Sequence, residues 1–193
     1  RVLFRSVRRE NKNGDLLATT TMTYDWLNRK TSMNDPDMGR WEYRYDNNGN
    51  LTEQKDAEGQ WLCFHYDDLN RMTSKYRGNK GANVSTSGCS VKNPDKWLAT
   101  WEYDGTNGIG HVKKVSWAGP NNRTDFETFT YNGVAQLSQH ARTLNGQTFR
   151  MGYSQFDGLG RPQKMTLPDG EEVITSYDVM GADGLKVNGV DYV

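Results

Sequence analysis

Short runs of alternating apolar and polar residues dominate the chain. In the run from residue 41 to residue 46, Trp41, Tyr43 and Tyr45 face one way, and the polar residues between them face the other. A period of two is typical of a half-buried β-strand. Helical periodicity extends nowhere beyond a turn or two. The pattern therefore predicts an all-β protein built from short strands.

An aromatic-Asp pair, Tyr-Asp in most copies, recurs between these strands. The first three copies are 21 residues apart, and two copies near the C-terminus have the same spacing. The five copies are Tyr24-Asp25, Tyr45-Asp46, Tyr66-Asp67, Phe156-Asp157 and Tyr177-Asp178. A fixed period of this size is the signature of a repeat architecture.

The fourth residue after each of these aromatics is Asn or Gly. In chain order it is Asn28, Gly49, Asn70, Gly160 and Gly181, and a further copy at Tyr103-Asp104 has Asn107 there. Asn and Gly tolerate a positive φ at the least cost. We therefore predict a turn with a left-handed residue at this position, and an Asp that caps the local backbone at the start of the turn.

A second turn signal follows within the units. It reads Asp35-Pro36-Asp37-Met38-Gly39, Asp56-Ala57-Glu58-Gly59 and Pro168-Asp169-Gly170. Each unit thus reads as strand, turn, strand, turn. This order predicts consecutive antiparallel β-hairpins that join into a long, twisted, spiralling sheet.

These motifs resemble the YD repeat of the Rhs family, which includes the shell components of bacterial Tc toxins, polymorphic toxins and the animal teneurins. The resemblance is closest over residues 23–76 and is also good over 153–181. Residues 77–152 depart from the repeat. At Tyr131-Asn132-Gly133 the glycine comes early, and Ala135 holds the left-handed position. The sequence of the motifs is most similar to that of the toxin-complex branch.

The resemblance implies a hollow β-shell that, in the bacterial members, encloses a C-terminal toxic polypeptide until delivery. The parent protein would then be secreted or displayed at the cell surface. The catalytic activity of such proteins would lie in a variable domain beyond the shell, so this chain is expected to have no enzymatic activity. The teneurin branch implies the alternative, an adhesion or carbohydrate-binding module.

The chain divides by motif into five parts. Residues 1–6 are set aside as an artefact or an unstructured start. Residues 7–76 form YD repeats, and residues 77–100 form a loop-like insertion. Residues 101–152 form degenerate repeats, and residues 153–193 form repeats that are truncated. Because the chain does not begin with Met, we interpret it as a fragment whose partners include neighbouring repeats of a longer chain.

Composition narrows the function classes. The hydrophobic share is 34% and the mean hydropathy is −0.91, yet there are 10 Tyr, 6 Trp and 6 Phe, which argues against disorder. Lys and Arg total 24 and so do Asp and Glu, which disfavours a nucleic-acid partner because phosphate binding requires a basic surface. No apolar run approaches the length of about 18 residues that indicates a membrane span.

Few residues suggest chemistry. Cys63 and His65 share a strand face with Trp61, but a nucleophile–base pair needs further groups that the sequence does not show, so we expect a packing role. Cys63 and Cys89 are either a disulfide or, as we favour, two free thiols. The histidines lack metal-ligand spacing, and no metal or other cofactor is expected. The segment from Asp46 to Asn50 lacks the Gly and Glu positions of a calcium loop.

An Arg follows the turn in three copies, as Arg29, Arg71 and Arg161. It either binds an anionic ligand or pairs with an acid of the neighbouring repeat, and we favour the pairing. Aromatic side chains that share a strand face, such as Trp41, Tyr43 and Tyr45, form rows. These aromatic rows either stack on glycans or pack across strands, and we favour the packing.

The spacing from turn glycine to tyrosine raises a question of register. It is six residues from Gly39 to Tyr45 but seven from Gly59 to Tyr66, and seven again from Gly170 to Tyr177. A shift of one residue turns a side chain to the opposite face. We expect the tyrosines to remain on one common face, because a buried row of aromatic side chains stabilises the sheet, with an irregularity between residues 59 and 66, near Gly59 to Leu62.

Overall fold

The structure is a computed structural model that describes residues 3–78, 89 and 97–191. The chain forms two units, Arg1–Leu98 and Ala99–Val193. Both are all-β, and in each unit every strand is antiparallel to its neighbours and follows the order of the chain. The prediction of consecutive antiparallel hairpins is confirmed.

The first unit contains seven strands among its described residues. They are β1 (Leu3–Glu10), β2 (Leu16–Tyr24), β3 (Lys30–Asp35), β4 (Gly39–Tyr45), β5 (Leu51–Lys55), β6 (Trp61–Tyr66) and β7 (Met72–Arg77). Residues 3–6 belong to β1 and pair with β2, from Leu3 opposite Tyr24 to Ser6 opposite Thr21. An unstructured start is therefore wrong for these residues.

The second unit continues the pattern. Its strands are β8 (Trp97–Gly105, which begins in the last residues of the first unit), β9 (Gly108–Ala118), β10 (Thr124–Tyr131), β11 (Leu137–Leu144), β12 (Gln147–Phe156), β13 (Pro162–Thr166), β14 (Glu172–Tyr177), β15 (Ala182–Val187) and β16 (Val190–Asp191). A 3-10 turn, Pro120–Asn122, connects β9 to β10.

The loop-like insertion was predicted over residues 77–100, with its irregular part over 78–96. Most of it lies outside the described residues. Its boundaries do change, because Arg77 ends β7 and residues 97–100 already belong to β8. The flanking strands therefore occupy residue 77 and residues 97–100 of the predicted insertion.

Most strand side chains in both units are half-buried, and the apolar core is thin. Among the described residues of the first unit, Trp61, Cys63 and Tyr76 form one buried cluster, against which Cys89 and Trp97 pack. Trp61 and Cys63 are each 1% exposed. Among the described residues of the second unit, the buried apolar side chain is Ala141. Stability must therefore come largely from hydrogen bonds and contacts between adjacent strands.

The register question is resolved by turn length. The ladder between β5 and β6 runs without a break from Glu53 opposite Cys63 to Lys55 opposite Trp61, so the predicted position near Gly59 to Leu62 is wrong. A register shift does lie within the predicted range of 59–66, between His65 and Tyr66. The turn from β5 to β6 spans five residues, 56–60, whereas the turn from β3 to β4 spans three, 36–38. A difference of two residues preserves the alternation of faces.

The register shifts lie beside the repeat tyrosines instead. One falls between Arg44 and Tyr45, and another between His65 and Tyr66, each on the side that pairs with the following strand. The same shift occurs before Tyr24, Tyr131 and Tyr177. At the shift between Arg44 and Tyr45 the extra residue is Thr52, in the following strand, and an extra residue of this kind increases the local twist.

Candidate functional site

The repeat turn is held by its first residue. In the turn after β12, Asp157 Oδ1 accepts the backbone N–H of Leu159 at 2.9 Å and that of Arg161 at 2.9 Å. The backbone N–H of Asp157 donates to the carbonyl of Arg161 at 3.0 Å, which closes the loop. Asp25, Asp46 and Asp67 accept the equivalent pairs of bonds. The predicted capping role of the Asp is confirmed at these turns.

The fourth residue after the aromatic has a positive φ in every copy predicted. The values are 63° at Asn28, 91° at Gly49, 61° at Asn70, 59° at Asn107, 61° at Ala135, 78° at Gly160 and 147° at Gly181. The value at Gly181 lies outside the left-handed helical well, and its turn is one residue shorter, because Asp178 caps Met180 and Gly181. The prediction of a left-handed residue is confirmed at the other six positions.

Hydrogen bonding alters the acidity of the capping carboxylates. The pKa of Asp157 is lowered mainly by the backbone N–H of Arg161, an effect that partial desolvation opposes and the Arg161 side chain reinforces. The pKa of Asp67 is lowered by the same groups of Arg71. Because each bond favours the ionised carboxylate, the turn is most stable when its Asp is charged.

The Arg at the end of the turn contacts two repeats. Arg161 Nε donates to Asp157 Oδ2 of its own turn at 2.7 Å, and its Nη1 donates to the carbonyl of Asp178 in the next repeat at 3.2 Å. Its guanidinium also lies 4.3 Å from the ring centroid of Tyr177. The predicted pairing with an acid of the neighbouring repeat is therefore corrected: the acid belongs to the same turn, and the neighbour supplies a carbonyl and a ring.

The first unit repeats this arrangement with similar distances. Arg29 Nε donates to Asp25 at 2.6 Å, its Nη1 donates to the carbonyl of Asp46 at 2.9 Å, and its guanidinium lies 5.0 Å from the centroid of Tyr45. Such an arginine therefore contacts the Asp of its own turn and both a carbonyl and a ring of the next repeat. We call this three-way contact the arginine link.

The repeat tyrosine provides a second connection. The hydroxyl of Tyr45 donates to the carbonyl of Lys30, that of Tyr66 to Leu51, and that of Tyr177 to Pro162, at 2.9 to 3.0 Å. In all three cases the acceptor is 15 residues earlier, at the start of the preceding strand. The three tyrosines therefore make equivalent contacts with the preceding strand. Desolvation raises the pKa of Tyr45 and of Tyr66.

The two degenerate copies differ from the regular turn in different ways. At Asn132 the side-chain oxygen accepts the N–H groups of Val134 and Gln136, and its Nδ2 donates to Gln136 Oε1. An Asn–Gln pair thus replaces the Asp–Arg pair. At Tyr103-Asp104 the strand continues through a bulge to Gly105, and Asn107 lies in the tip of the hairpin instead of in an Asp-capped turn.

The cysteine pair differs from the expectation. Cys63 and Cys89 form a disulfide with a Cα–Cα distance of 5.6 Å, so the prediction of two free thiols is wrong. The two cysteines lie 26 residues apart, and their pairing depends on how β6 and β7 present Cys63, which spacing alone does not indicate. Because Cys63 is in a disulfide, it has no thiol that His65 could deprotonate to make a nucleophile.

A hydrogen-bond chain lies beside this disulfide. The hydroxyl of Tyr76 donates to the carbonyl of Cys89 at 3.0 Å, and His65 Nε2 lies 2.9 Å from the same hydroxyl. Since the carbonyl can only accept, the hydroxyl accepts from His65, which places the proton on Nε2. His65 also stacks on the Tyr76 ring. This cluster fastens Cys89 to the sheet.

Among residues 3–78, 89 and 97–191, no group of three or more His, Cys, Asp and Glu side chains is arranged to hold a metal ion. In the same part of the chain, no helix has the length and apolar character needed to cross a bilayer. Several aromatic faces are covered by cations, among them those of Tyr43, Tyr45 and Tyr177.

The arginine link and the tyrosine bond were not predicted in this form. The recurrence of Arg five residues after the aromatic was visible in the sequence, and so was the period of 21. An Arg that recurs with the period carries five N–H donors, and these donors need several acceptors. That signal points to a link, but the identity of the acceptors depends on which strands lie side by side.

Comparison with known proteins shows the fold. No family model and no curated protein matches the chain. Among solved structures, the Tc holotoxin pore of Photorhabdus luminescens, in a mutant form, matches with a TM-score of 0.68 and 12% identity over 94% of this chain. A TcdB2–TccC3 crystal structure matches at 11% identity over 95% of this chain, with a TM-score of 0.46. The chain spans 10% and 14% of those chains.

Proposed function

We propose that this chain is a stretch of a YD-repeat β-shell that encloses or presents a toxic polypeptide within a secreted bacterial toxin. The observation that carries the proposal is the backbone likeness to a Tc holotoxin chain over 94% of the sequence, in a protein whose turns repeat the motif of that shell family. The spiral of the sheet is part of this proposal.

The role is mechanical in this proposal. A single hairpin is marginal in water, so each repeat depends on its neighbours. The tyrosine bond ties a strand to the start of the preceding one, and the arginine link ties a turn to the next repeat. Both connections use side chains that recur with the repeat: four of the five regular copies have the tyrosine and three have the arginine. The array can therefore lengthen without a new kind of contact, which is the property a wall requires.

We propose that the segment performs no catalysis. The polar side chains that recur with the repeat are engaged in the turns and links. Cys63 is oxidised, and His65 is hydrogen-bonded and stacked between strands. A disulfide is typical of proteins that mature in an oxidising compartment, which supports secretion of the parent protein.

The alternative function, an adhesion module that binds glycans, has less support. Carbohydrate stacking needs open aromatic faces. The rings of Tyr45 and Tyr177 lie under arginine guanidinium groups, and Lys30 Nζ lies 4.6 Å from the centroid of Tyr43. Phe129 and Tyr131 stack on His140 and His111. The aromatic rows thus serve cross-strand packing.

Limited proteolysis of the protein encoded by the complete reading frame tests the shell. Mass spectrometry would follow fragments as urea is raised. We expect one polypeptide outside the repeats to resist proteolysis until the repeats unfold, at the same urea concentration. If every segment outside the repeats is cleaved while the repeats stay intact, nothing is enclosed. Specific glycan binding by the folded 193-residue chain would favour the adhesion module instead.

A further inference from the structure

The dipeptide Asn-Gly recurs along this chain and carries a chemistry that the repeat does not use. It occurs six times, as Asn13-Gly14, Asn48-Gly49, Asn107-Gly108, Asn132-Gly133, Asn145-Gly146 and Asn188-Gly189. All six pairs belong to the described residues and lie at or beside turns. Glycine has no side chain to shield its backbone nitrogen, so this nitrogen can attack the side-chain carbonyl carbon of the preceding Asn. Each pair is therefore a candidate site of deamidation, and the structure decides which pair is free to react.

Deamidation at such a pair passes through a cyclic imide. The glycine nitrogen loses its proton and forms a bond to Cγ of the Asn, the bond from Cγ to Nδ2 breaks, and Nδ2 leaves with the proton as ammonia. A water molecule then opens the imide at one of its two carbonyl carbons. Opening at Cγ gives aspartate, and opening at the backbone carbonyl carbon gives isoaspartate, in which the main chain runs through the side chain. Water is the only reagent, which is why Asn is a thermolabile residue.

Three of the six pairs are hindered at the glycine. Gly14 and Gly49 each donate their N–H to a carbonyl three residues earlier, at 3.1 and 3.2 Å. Such a nitrogen must give up its hydrogen bond before it can attack. Gly108 is buried against the ring of Tyr131, so closely that a Cβ on Gly108 would lie 2.5 Å from that ring. The ring leaves no room there for the amide of the preceding Asn.

Two further pairs are held through the Asn side chain. Asn132 Oδ1 accepts two backbone N–H groups of its turn, and its Nδ2 donates to Gln136 Oε1 at 2.8 Å. Asn188 Oδ1 accepts the backbone N–H of Glu172 at 2.9 Å, and its Nδ2 donates to Glu171 Oε1 at 3.3 Å. An Asn amide must rotate to bring Cγ to the glycine nitrogen, and these two amides can rotate only by breaking their hydrogen bonds.

The pair Asn145-Gly146 has neither restraint. It forms the exposed two-residue loop between β11 and β12, and Gly146 has open space around it. Within the described part of the chain, the Asn145 side chain and the Gly146 N–H make no hydrogen bond. The loop at Asn188 has the same length and nearly the same backbone, with φ of 49° at Asn188 and 53° at Asn145, so the two loops differ in their side-chain bonds. We propose that Asn145 deamidates spontaneously in the folded protein, ahead of the other five pairs.

The backbone of Asn145 gives this modification a structural consequence. Its N–H donates to Asp125 Oδ1 at 3.0 Å, and its carbonyl accepts from Arg123 Nη1 at 3.2 Å. Asp125 is only 6% exposed, so water cannot readily replace a donor that the carboxylate loses. Isoaspartate adds a backbone carbon to a loop of two residues and so changes the geometry that holds both bonds. Its formation should loosen the start of β10 and the tip of the β11–β12 hairpin. The reaction does not depend on the proposed shell function, since it is a property of the folded chain.

Peptide mapping by mass spectrometry tests the proposal on the folded 193-residue chain, aged at mildly alkaline pH because the glycine nitrogen must lose its proton. Methyl transfer from S-adenosylmethionine by a protein isoaspartate methyltransferase would identify isoaspartate. We expect Asn145 to react at least about tenfold faster than Asn188, because two hydrogen bonds must break at Asn188. The variant Glu171→Ala removes one of those bonds, so it should speed the reaction at Asn188 and leave the rate at Asn145 unchanged.

The unfolded chain provides the matched control. In urea the restraints are lost, and we expect Asn145 and Asn188 to react at similar rates. Equal rates at these two residues in the folded chain would overturn the proposal, and so would a faster reaction at any other Asn-Gly pair. A difference between Asn145 and Asn188 that persists in urea would also overturn it, because local sequence and not the structure would then decide which pair reacts.

Discussion

Reduction of the Cys63–Cys89 disulfide should destabilise the first unit by an amount that the structure allows us to estimate. The bond closes a loop of 26 residues. In the chain-entropy model, opening a loop of this length restores conformational freedom to the unfolded chain worth about 3.5 kcal/mol at 25 °C. That is a large share of the stability of a small domain, about 5–15 kcal/mol.

The second unit provides an internal control, because both cysteines of the chain precede it. Hydrogen exchange measured by mass spectrometry, with and without a reducing agent, reports each unit from its own peptides. We expect the free energy of opening to fall by about 3 kcal/mol for peptides of β6 and β7, and to stay the same for peptides of β10 to β12.

Two results would refute this reasoning. A loss below about 1 kcal/mol in β6 and β7 would mean that the closed loop does not limit the unfolded chain, or that the hydrogen bond from Tyr76 to Cys89 holds the loop without the disulfide. An equal loss in β10 to β12 would mean that the two units unfold together, and that the effect is not local to the cluster around Cys63.

Three further predictions concern the repeat turn and its connections. Tyr45→Phe leaves the Lys30 carbonyl without its donor and should cost about 1–2 kcal/mol in urea unfolding; an unchanged midpoint would contradict the tyrosine bond. Gly49→Val should cost more than about 1 kcal/mol because φ is 91°, whereas Gly133→Val, which has open space and no positive φ, should cost less; equal thermal shifts would rule out the conformational argument. The pKa of Asp157 is lower in the folded protein than its unfolded value of 3.8, so its contribution to folding stability is present above pH 3.8 and is lost as the pH falls through the folded value. Asp157→Asn should therefore weaken the fall of stability at acidic pH. An unchanged fall would exclude Asp157 as a contributor.

The sequence by itself determined the local structure of this protein. Alternation in the run from Trp41 to Tyr45 is a property of a single strand, so it predicted the strand without a partner. The positive φ at Asn28, Gly49 and Ala135 depends on the turn of five residues that contains them, and the capping by Asp reaches only four residues along the chain. Such features are encoded within one repeat, and the period of 21 then extends them along the chain.

The links between repeats were decided by the tertiary structure. Arg161 was visible as a recurring cation, but its acceptor, the carbonyl of Asp178, has no sequence signature because every residue has a carbonyl. The hydroxyl of Tyr177 likewise donates to the carbonyl of Pro162, which comes within reach because β13 and β14 lie side by side. A sequence records which side chains recur, whereas the choice among identical backbone acceptors depends on register.

The disulfide was also decided by the tertiary structure and not by the sequence alone. Composition and spacing left Cys63 and Cys89 open to both redox states, and the polar segment between them gave no measure of their distance. Pairing of β6 with β7 places Cys63 opposite Tyr76, and the hydroxyl of Tyr76 holds the Cys89 backbone within reach. Because a disulfide forms only when two Cα atoms approach to about 4.4–6.8 Å, proximity created by strand pairing decided the chemistry of these two residues.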